Sequence, residues 1–164
     1  MIATSTASGK SLAYQLPVLD ALIRDGLDAR ALHLYPTKAL ARDQMADLEG
    51  LLSATGVKDL AVAVYDGDTP VGVRQLMREK GALVLTNPHM LHQGILPNHT
   101  KWQGLFAGLR YVVVDEVHMP PVSEGMQAIE FGEHLIVALE PGNATEEFDD
   151  VTELAQDVAG VNHA

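Results

Sequence analysis

Near the start of the chain, Thr4-Ser5-Thr6-Ala7-Ser8-Gly9-Lys10-Ser11 sets a lysine and a hydroxyl directly after a glycine, at the head of a helical pattern. That order suits an anion. Successive backbone N–H groups and a helix N-terminus can cradle phosphate oxygens. Lys10 would add a point charge at the outer phosphates, and the Ser11 hydroxyl a ligand for Mg²⁺. The spacing is that of G-x-x-x-x-G-K-[S/T], with Thr4 in place of the first glycine. A small-residue turn that only precedes a helix is the alternative. Far downstream, Tyr111-Val112-Val113-Val114 runs into Asp115-Glu116-Val117-His118. An apolar strand ending in two acids offers one carboxylate to Mg²⁺ through water and a second to orient and deprotonate an attacking water. Two acids that merely open a loop are the alternative there. Together, the two signals point to nucleotide chemistry.

The elements that must hold these residues alternate along the chain. Apolar runs at 31–35, 60–65, 82–86 and 111–114 are mostly apolar on both faces, as in strands of a parallel sheet covered on both sides. Met1-Ile2-Ala3 reads as the end of a further strand. Leu12, Leu16, Leu19 and Ile23 recur at helical spacing, and Pro17 is expected to kink or interrupt that helix. Leu40, Leu48, Leu51 and Leu52 mark a second helix before Gly56. Thr69-Pro70 reads as a cap followed by a helix-starting proline, for a helix reaching about Lys80 and Gly81. A further helix is expected over 88–95, and a short one around Trp102, Leu105 and Phe106. Strand–helix alternation with connections of this length predicts right-handed βαβ units and a three-layer α/β fold with a mostly parallel sheet. Residues 128–139 read as one helix, or as a strand and a helix.

Composition sets the outer bounds. The chain has 164 residues, is 47% apolar and carries no cysteine, so disulfides and thiolate metal sites are excluded within it. No apolar run approaches the ~20 residues that span a bilayer. The N-terminus lacks the basic-then-apolar order of an export signal, and a soluble cytoplasmic protein is the expectation. The net charge of −11 is uneven. All 11 Lys and Arg residues lie in 1–118, beside 12 acids; residues 119–164 hold 10 acids and neither Lys nor Arg. Phosphate contacts need local basic groups rather than a basic total, and the first part can supply them. The histidines show no metal-binding spacing, and His89 and His92 read as surface residues. Trp102 reads as a packing residue.

Four segments in order resemble motifs I, Ia, Ib and II of superfamily 2 DEAD/DEAH-type helicases. They are Thr-Ala-Ser-Gly-Lys-Ser (6–11), Tyr-Pro-Thr-Lys-Ala-Leu (35–40), Leu-Thr-Asn-Pro-His-Met-Leu (85–91) and Val-Val-Asp-Glu-Val-His (113–118). The segment 65–70 resembles one found between Ia and Ib. The wording is most like the DNA-repair helicase branch that carries a C-terminal cysteine-rich domain. The resemblance implies a RecA-like P-loop NTPase domain over 1–118, the first of the two in an ATP-dependent DNA helicase. It implies that Thr6, Ala7, Ser8, Gly9, Lys10 and Ser11 bind ATP, with Ser11 and Asp115 at Mg²⁺. Glu116 would be the hydrolytic base, and His118 would couple the nucleotide to a partner RecA-like domain. Pro36, Thr37 and Lys38, with Thr86, Asn87 and Pro88, would contact the backbone of a single strand, DNA being favoured. Arg42 and Gln44 are further candidates. Read without the resemblance, Thr37 is an N-cap, and Thr86-Asn87-Pro88 is a cap with a helix-starting proline.

The sequence also departs from the family. Ser5 stands where glycine is usual, and no Ser-Ala-Thr motif follows DEVH. The strand feeding the loop, an upstream adenine-reading motif and the second RecA-like domain are expected to be missing. That second domain would supply arginines worth ~10³–10⁵ in rate, so the chain alone is expected to be inactive. Residues 119–164 are expected to be non-helicase sequence, an atypical acidic tail. A truncated non-catalytic nucleotide-binding fragment, or another P-loop NTPase such as a small-molecule kinase, are the competing readings.

Overall fold

The computed structural model describes the backbone of residues 8–115, 127–131 and 134–138, and the side chains of 11–115 except Leu27. Strands β1 (Arg30–Leu34), β2 (Val62–Val64), β3 (Leu83–Thr86) and β4 (Leu109–Asp115) are all parallel. They alternate with helices α1 (Ser8–Asp25), α2 (Lys38–Thr55) and α3 (Val71–Lys80), and with a chain of short helices. The last begins with α4 (Pro88–Met90), passes through a π-helical turn (Leu91–Ile95) and a 3-10 stretch (Leu96–Trp102), and ends in α5 (Gln103–Ala107). Strands β5 (Gln127–Phe131) and β6 (His134–Ala138) extend the sheet antiparallel beyond β4, giving the order β2-β3-β1-β4-β6-β5.

The alternation of side chains along each strand divides the interior into two cores. Leu32, Leu34, Val84, Val112 and Val114 point to one, which α3 and the 88–107 segment cover through Met77, Leu91, Ile95, Trp102 and Leu105. Ala31, Tyr35, Leu83, Leu85 and Val113 point to the other, beneath Tyr14, Val18 and Leu22 of α1 and Ala41 and Leu48 of α2. This is the three-layer, mostly parallel α/β arrangement expected. Period two on strands apolar throughout requires cover on both faces.

Several local expectations are corrected. Helix α1 runs unbroken through Pro17. Pro17 and Ala13, whose carbonyl loses its donor, both lie on the exposed side, where water can serve that carbonyl. Of the four apolar residues at helical spacing only Leu19 is buried; Leu12, Leu16 and Ile23 are exposed, and Tyr14, Val18, Ala21 and Leu22 form the covered face. Thr69 and Pro70 are not the cap and first turn of α3. Pro70 precedes the helix without a side-chain cap, and the Thr69 hydroxyl is engaged within the preceding loop. In 128–139 the structure places parts of two strands rather than a helix. The strand expected at Met1-Ile2-Ala3 lies outside the described residues.

Helix ends follow local chemistry. Gly56 closes α2 at φ 72°, a left-handed conformation that glycine adopts without strain. At the opposite end of the sheet from the motif loops, buried Arg30 donates through Nη1 to the Gly81 carbonyl (3.1 Å) and through Nη2 to the Glu79 carbonyl (3.3 Å). It thereby ties the C-terminus of α3 to β1.

Candidate nucleotide and nucleic-acid site

Because β1 to β4 are parallel and nearly in register, their C-terminal ends share one edge. Leu34 lies opposite Thr86 on one side and Val114 on the other. The loops that follow therefore converge: Tyr35 to Lys38 after β1, 65–70 after β2, Asn87 after β3, and Asp115 at the end of β4.

Helix α1 begins at Ser8, so Ser8, Gly9 and Lys10 form its first turn and its free N–H groups. Ser11 is buried and hydrogen-bonded to the Tyr14 hydroxyl, and the buried Asp115 carboxylate acts on the same hydroxyl. Tyr14 of α1 and Val113 of β4 share one core, so α1 packs near the acidic end of β4. Tyr14 also lies 3.4 Å from the Tyr35 hydroxyl, which in turn lies 3.4 Å from Nδ1 of buried His33. Burial raises the Tyr14 pKa; hydrogen bonds with Tyr35 and Ser11 work against this, and the Asp115 charge adds to it. Tyr35 is pushed up further, again chiefly by burial. Both phenols stay neutral beside the carboxylate and serve as hydrogen-bonding groups.

Gln15, one residue along α1, donates to Gln44 of α2 at 3.2 Å, with both side chains buried. Gln15 also hydrogen-bonds Tyr35. The helix carrying the phosphate-type residues is therefore pinned to the helix that begins at Lys38. Gln44, a candidate strand contact, is used inside the protein.

Pro36, Thr37 and Lys38 are exposed at the shared edge. Thr37 is also the N-cap of α2, its Oγ1 accepting the Leu40 N–H at 3.2 Å. Thr86, Asn87 and Pro88 are buried. The Thr86 hydroxyl donates to the Tyr65 carbonyl at 2.6 Å, and Asn87 Oδ1 accepts the Met90 N–H at 2.8 Å, with Pro88 opening α4. Each segment has the capping role that residue type alone suggests, and each stands where the loops converge.

Sequence reasoning gave no role to the acids of 65–70. Asp66 is buried, and its Oδ2 accepts Arg42 Nη2 at 2.8 Å. Asp68 accepts the same nitrogen at 3.0 Å and Lys38 Nζ at 3.4 Å. The available signal was charge complementarity, with cations at 38 and 42 one helical turn apart and acids at 66 and 68.

Trp102 is fully buried, as a packing residue should be, and His89 is exposed. Thr6, Ala7, Glu116 and His118 lie outside the described residues. Among the described residues no cluster of three His, Asp or Glu could hold a metal ion alone. A hydroxyl and one carboxylate, both hard oxygen donors, nevertheless fit Mg²⁺, which usually keeps waters and phosphate oxygens as its other ligands. No helix among the described residues is long and apolar enough to cross a membrane.

Comparison with known proteins agrees with this arrangement. An uncharacterized ATP-dependent helicase, YprA of Bacillus subtilis, is 51% identical over 115 residues, 70% of this chain and 15% of its own. ATP-dependent helicase hrq1 of Schizosaccharomyces pombe is 42% identical over 120 residues, 73% of this chain and 11% of its own. The chain thus spans a small part of the length of these relatives. A crystal structure of the DUF1998 helicase MrfA bound to DNA and AMPPNP superposes with a TM-score of 0.63 at 51% identity, over 70% of this chain and 16% of that one. The family model for the DEAD/DEAH box helicase matches residues 1–140, and with the parallel sheet and its converging loops it establishes that this chain belongs to the DEAD/DEAH box helicase family.

Proposed function

We propose that this chain is the nucleotide-binding RecA-like domain of an ATP-dependent DNA helicase, taking Mg²⁺-ATP at the α1–β4 junction and a single strand across the neighbouring loops. The observation that carries this reading is the convergence of the motif loops at one sheet edge, with Asp115 at the end of β4 and α1 packed through Tyr14 into the core that holds Val113.

In this reading the N–H groups at the start of α1, with Thr6, Ala7, Ser8, Gly9 and Lys10, hold the triphosphate. Ser11 and Asp115 hold Mg²⁺. When bound, Mg²⁺-ATP supplies a phosphoanhydride whose cleavage releases free energy. Glu116 would accept a proton from the attacking water, and His118 would report the state of the site to a partner domain. The buried tyrosines limit water behind Ser11. Pro36, Thr37 and Lys38 would meet strand phosphates through a hydroxyl, N–H groups and an ammonium, all independent of sequence. Thr86, Asn87 and Pro88 would act from the next loop, by shaping it as well as by contact. Strand movement is proposed for a protein of the relatives' length, of which this chain spans a small part, and hydrolysis by the 164 residues alone is expected to be negligible. The division into a motif-bearing part, 1–118, and an acidic remainder, 119–164, is proposed alongside a family match that runs to residue 140.

The test is a thermal melt with and without Mg²⁺-ATP, beside Lys10→Ala. Ligand at 100-fold its Kd stabilises by ~2.7 kcal/mol. A cooperative melt raised by nucleotide in the parent and not in the variant supports the reading. A melt unmoved by nucleotide contradicts it.

A further inference from the structure

Lys38 and Arg42 lie one turn apart on α2, and the loop 65–70 faces them with two carboxylates in unlike settings. The Asp66 side chain is 3% exposed. Its Oδ1 accepts the Asp68 N–H at 2.8 Å and meets the Thr69 hydroxyl at 3.2 Å, while Oδ2 holds Arg42. The loop beneath it is fixed. Arg74 donates to the carbonyls of Thr69 (2.7 Å), Asp66 (3.0 Å) and Gly67 (2.8 Å), with its guanidinium over the Tyr65 ring. Asp66 is therefore a rigid anchor. Asp68 is 67% exposed and spans both cations.

The guanidinium is only half committed. Both carboxylates reach Arg42 through Nη2, while Nη1 and Nε carry no bond among the described residues, and the side chain is 53% exposed. In the Arg42–Asp66 pair the carboxylate is buried and held by two further hydrogen bonds, whereas both pairs of Asp68 are exposed, and exposed pairs contribute roughly 0–1 kcal/mol and exchange readily. An incoming anion would leave Asp66 in place and compete with Asp68. Phosphate matches these donors, since it accepts from a guanidinium fork and an ammonium together.

We propose that Arg42, aimed by Asp66, is a strand-phosphate contact, and that Asp68 is its resident competitor, covering Arg42 and Lys38 until a phosphate displaces it. The proposal rests on the nucleic-acid reading above, fixes how the candidate Arg42 is aimed, and adds a role for Asp68. Arg42 is a contact alongside Lys38, and Asp68 sets an affinity ceiling by occupying the site with the protein's own negative charge.

The test uses the full 164-residue chain and fluorescence anisotropy of a fluorescein-labelled 12-nucleotide oligothymidylate over a range of NaCl concentrations. Asp68→Asn is expected to tighten binding roughly fivefold at low salt, with a narrower gain as salt screens the site. Asp68→Ser serves as a second variant should the asparagine rebuild a bond to Arg42. Arg42→Gln is expected to weaken binding and to reduce the slope of log K against log salt by about 0.7, one phosphate's share on a single strand. Melts of each variant register any loss of fold. Binding by the parent chain that Asp68→Asn and Asp68→Ser leave unchanged or weaken overturns the competitor role and spares the nucleic-acid reading. A salt slope unaltered by Arg42→Gln overturns the contact role. No binding by the parent or by either Asp68 variant at low salt overturns the nucleic-acid reading itself.

Discussion

Changing Gln15 and Gln44 to leucine, singly and together, probes the tie between α1 and α2. The two amides meet at 3.2 Å with both side chains buried. Leucine resembles glutamine in bulk but has no polar side-chain atom, so Gln15→Leu strands the Gln44 amide away from water, and Gln44→Leu leaves the Gln15 amide with Tyr35 alone. A buried polar group left unpaired costs about 1–3 kcal/mol, whereas replacing both partners by apolar groups is nearly neutral. Tyr35, which loses Gln15 in two of the variants, keeps its contacts with Tyr14 and His33. Each single variant is therefore expected to lose about 1–3 kcal/mol. The double variant should lose less than the sum of the two, by at least ~1 kcal/mol. Urea unfolding followed by far-ultraviolet circular dichroism gives the four free energies. Costs that add within about 0.5 kcal/mol would mean independent sites, and the buried tie between the helices would be refuted.

Two further outcomes follow from local geometry. Thr37→Ala should destabilise the chain by about 1 kcal/mol through loss of the α2 cap, with Thr37→Ser close to the parent; equal melts for all three would refute the capping role. Asp66 titrates below its ordinary 3.8: burial pushes it up, but the Asp68 N–H, Arg42 and the Thr69 hydroxyl outweigh that. A depressed carboxylate contributes stability that is present above 3.8 and lost as pH falls through the lowered value. Stability measured from pH 6 down to pH 2 should therefore fall less steeply at the acid end in Asp66→Asn than in the parent, and parallel curves would refute the assignment.

The main outline of the fold was legible because the four parallel strands are apolar on both faces. Such runs have few alternatives when turn residues bound them. Which face of α1 is covered was not legible, since leucines and isoleucine lie on one side and Tyr14, Val18 and Leu22 on another. Periodicity identifies a helix without choosing between two apolar faces. The same cap-then-proline pattern succeeded at Asn87-Pro88 and failed at Thr69-Pro70, because the Thr69 hydroxyl was claimed by Asp66 and Val64. Residues 128–139 misled because short apolar runs carry no decisive period; pairing with the edge of β4 determines their form. The phosphate-type loop and the acidic strand end were visible as ordered residue types. The Gln15–Gln44 and Arg42–Asp66 contacts join residues far apart in sequence, and no local pattern announces them.

Trp102 is the sole tryptophan of the chain, and it is fully buried with no hydrogen-bond partner for its indole N–H among the described residues. Its ring meets Tyr65 edge-on, with centroids 4.7 Å apart, and Tyr65 is the residue that leads into Asp66. A dry indole emits to the blue of a wetted one. The protein therefore carries a single-source optical reporter beneath the acidic loop, and a red shift on adding an oligonucleotide would record motion there with no attached dye.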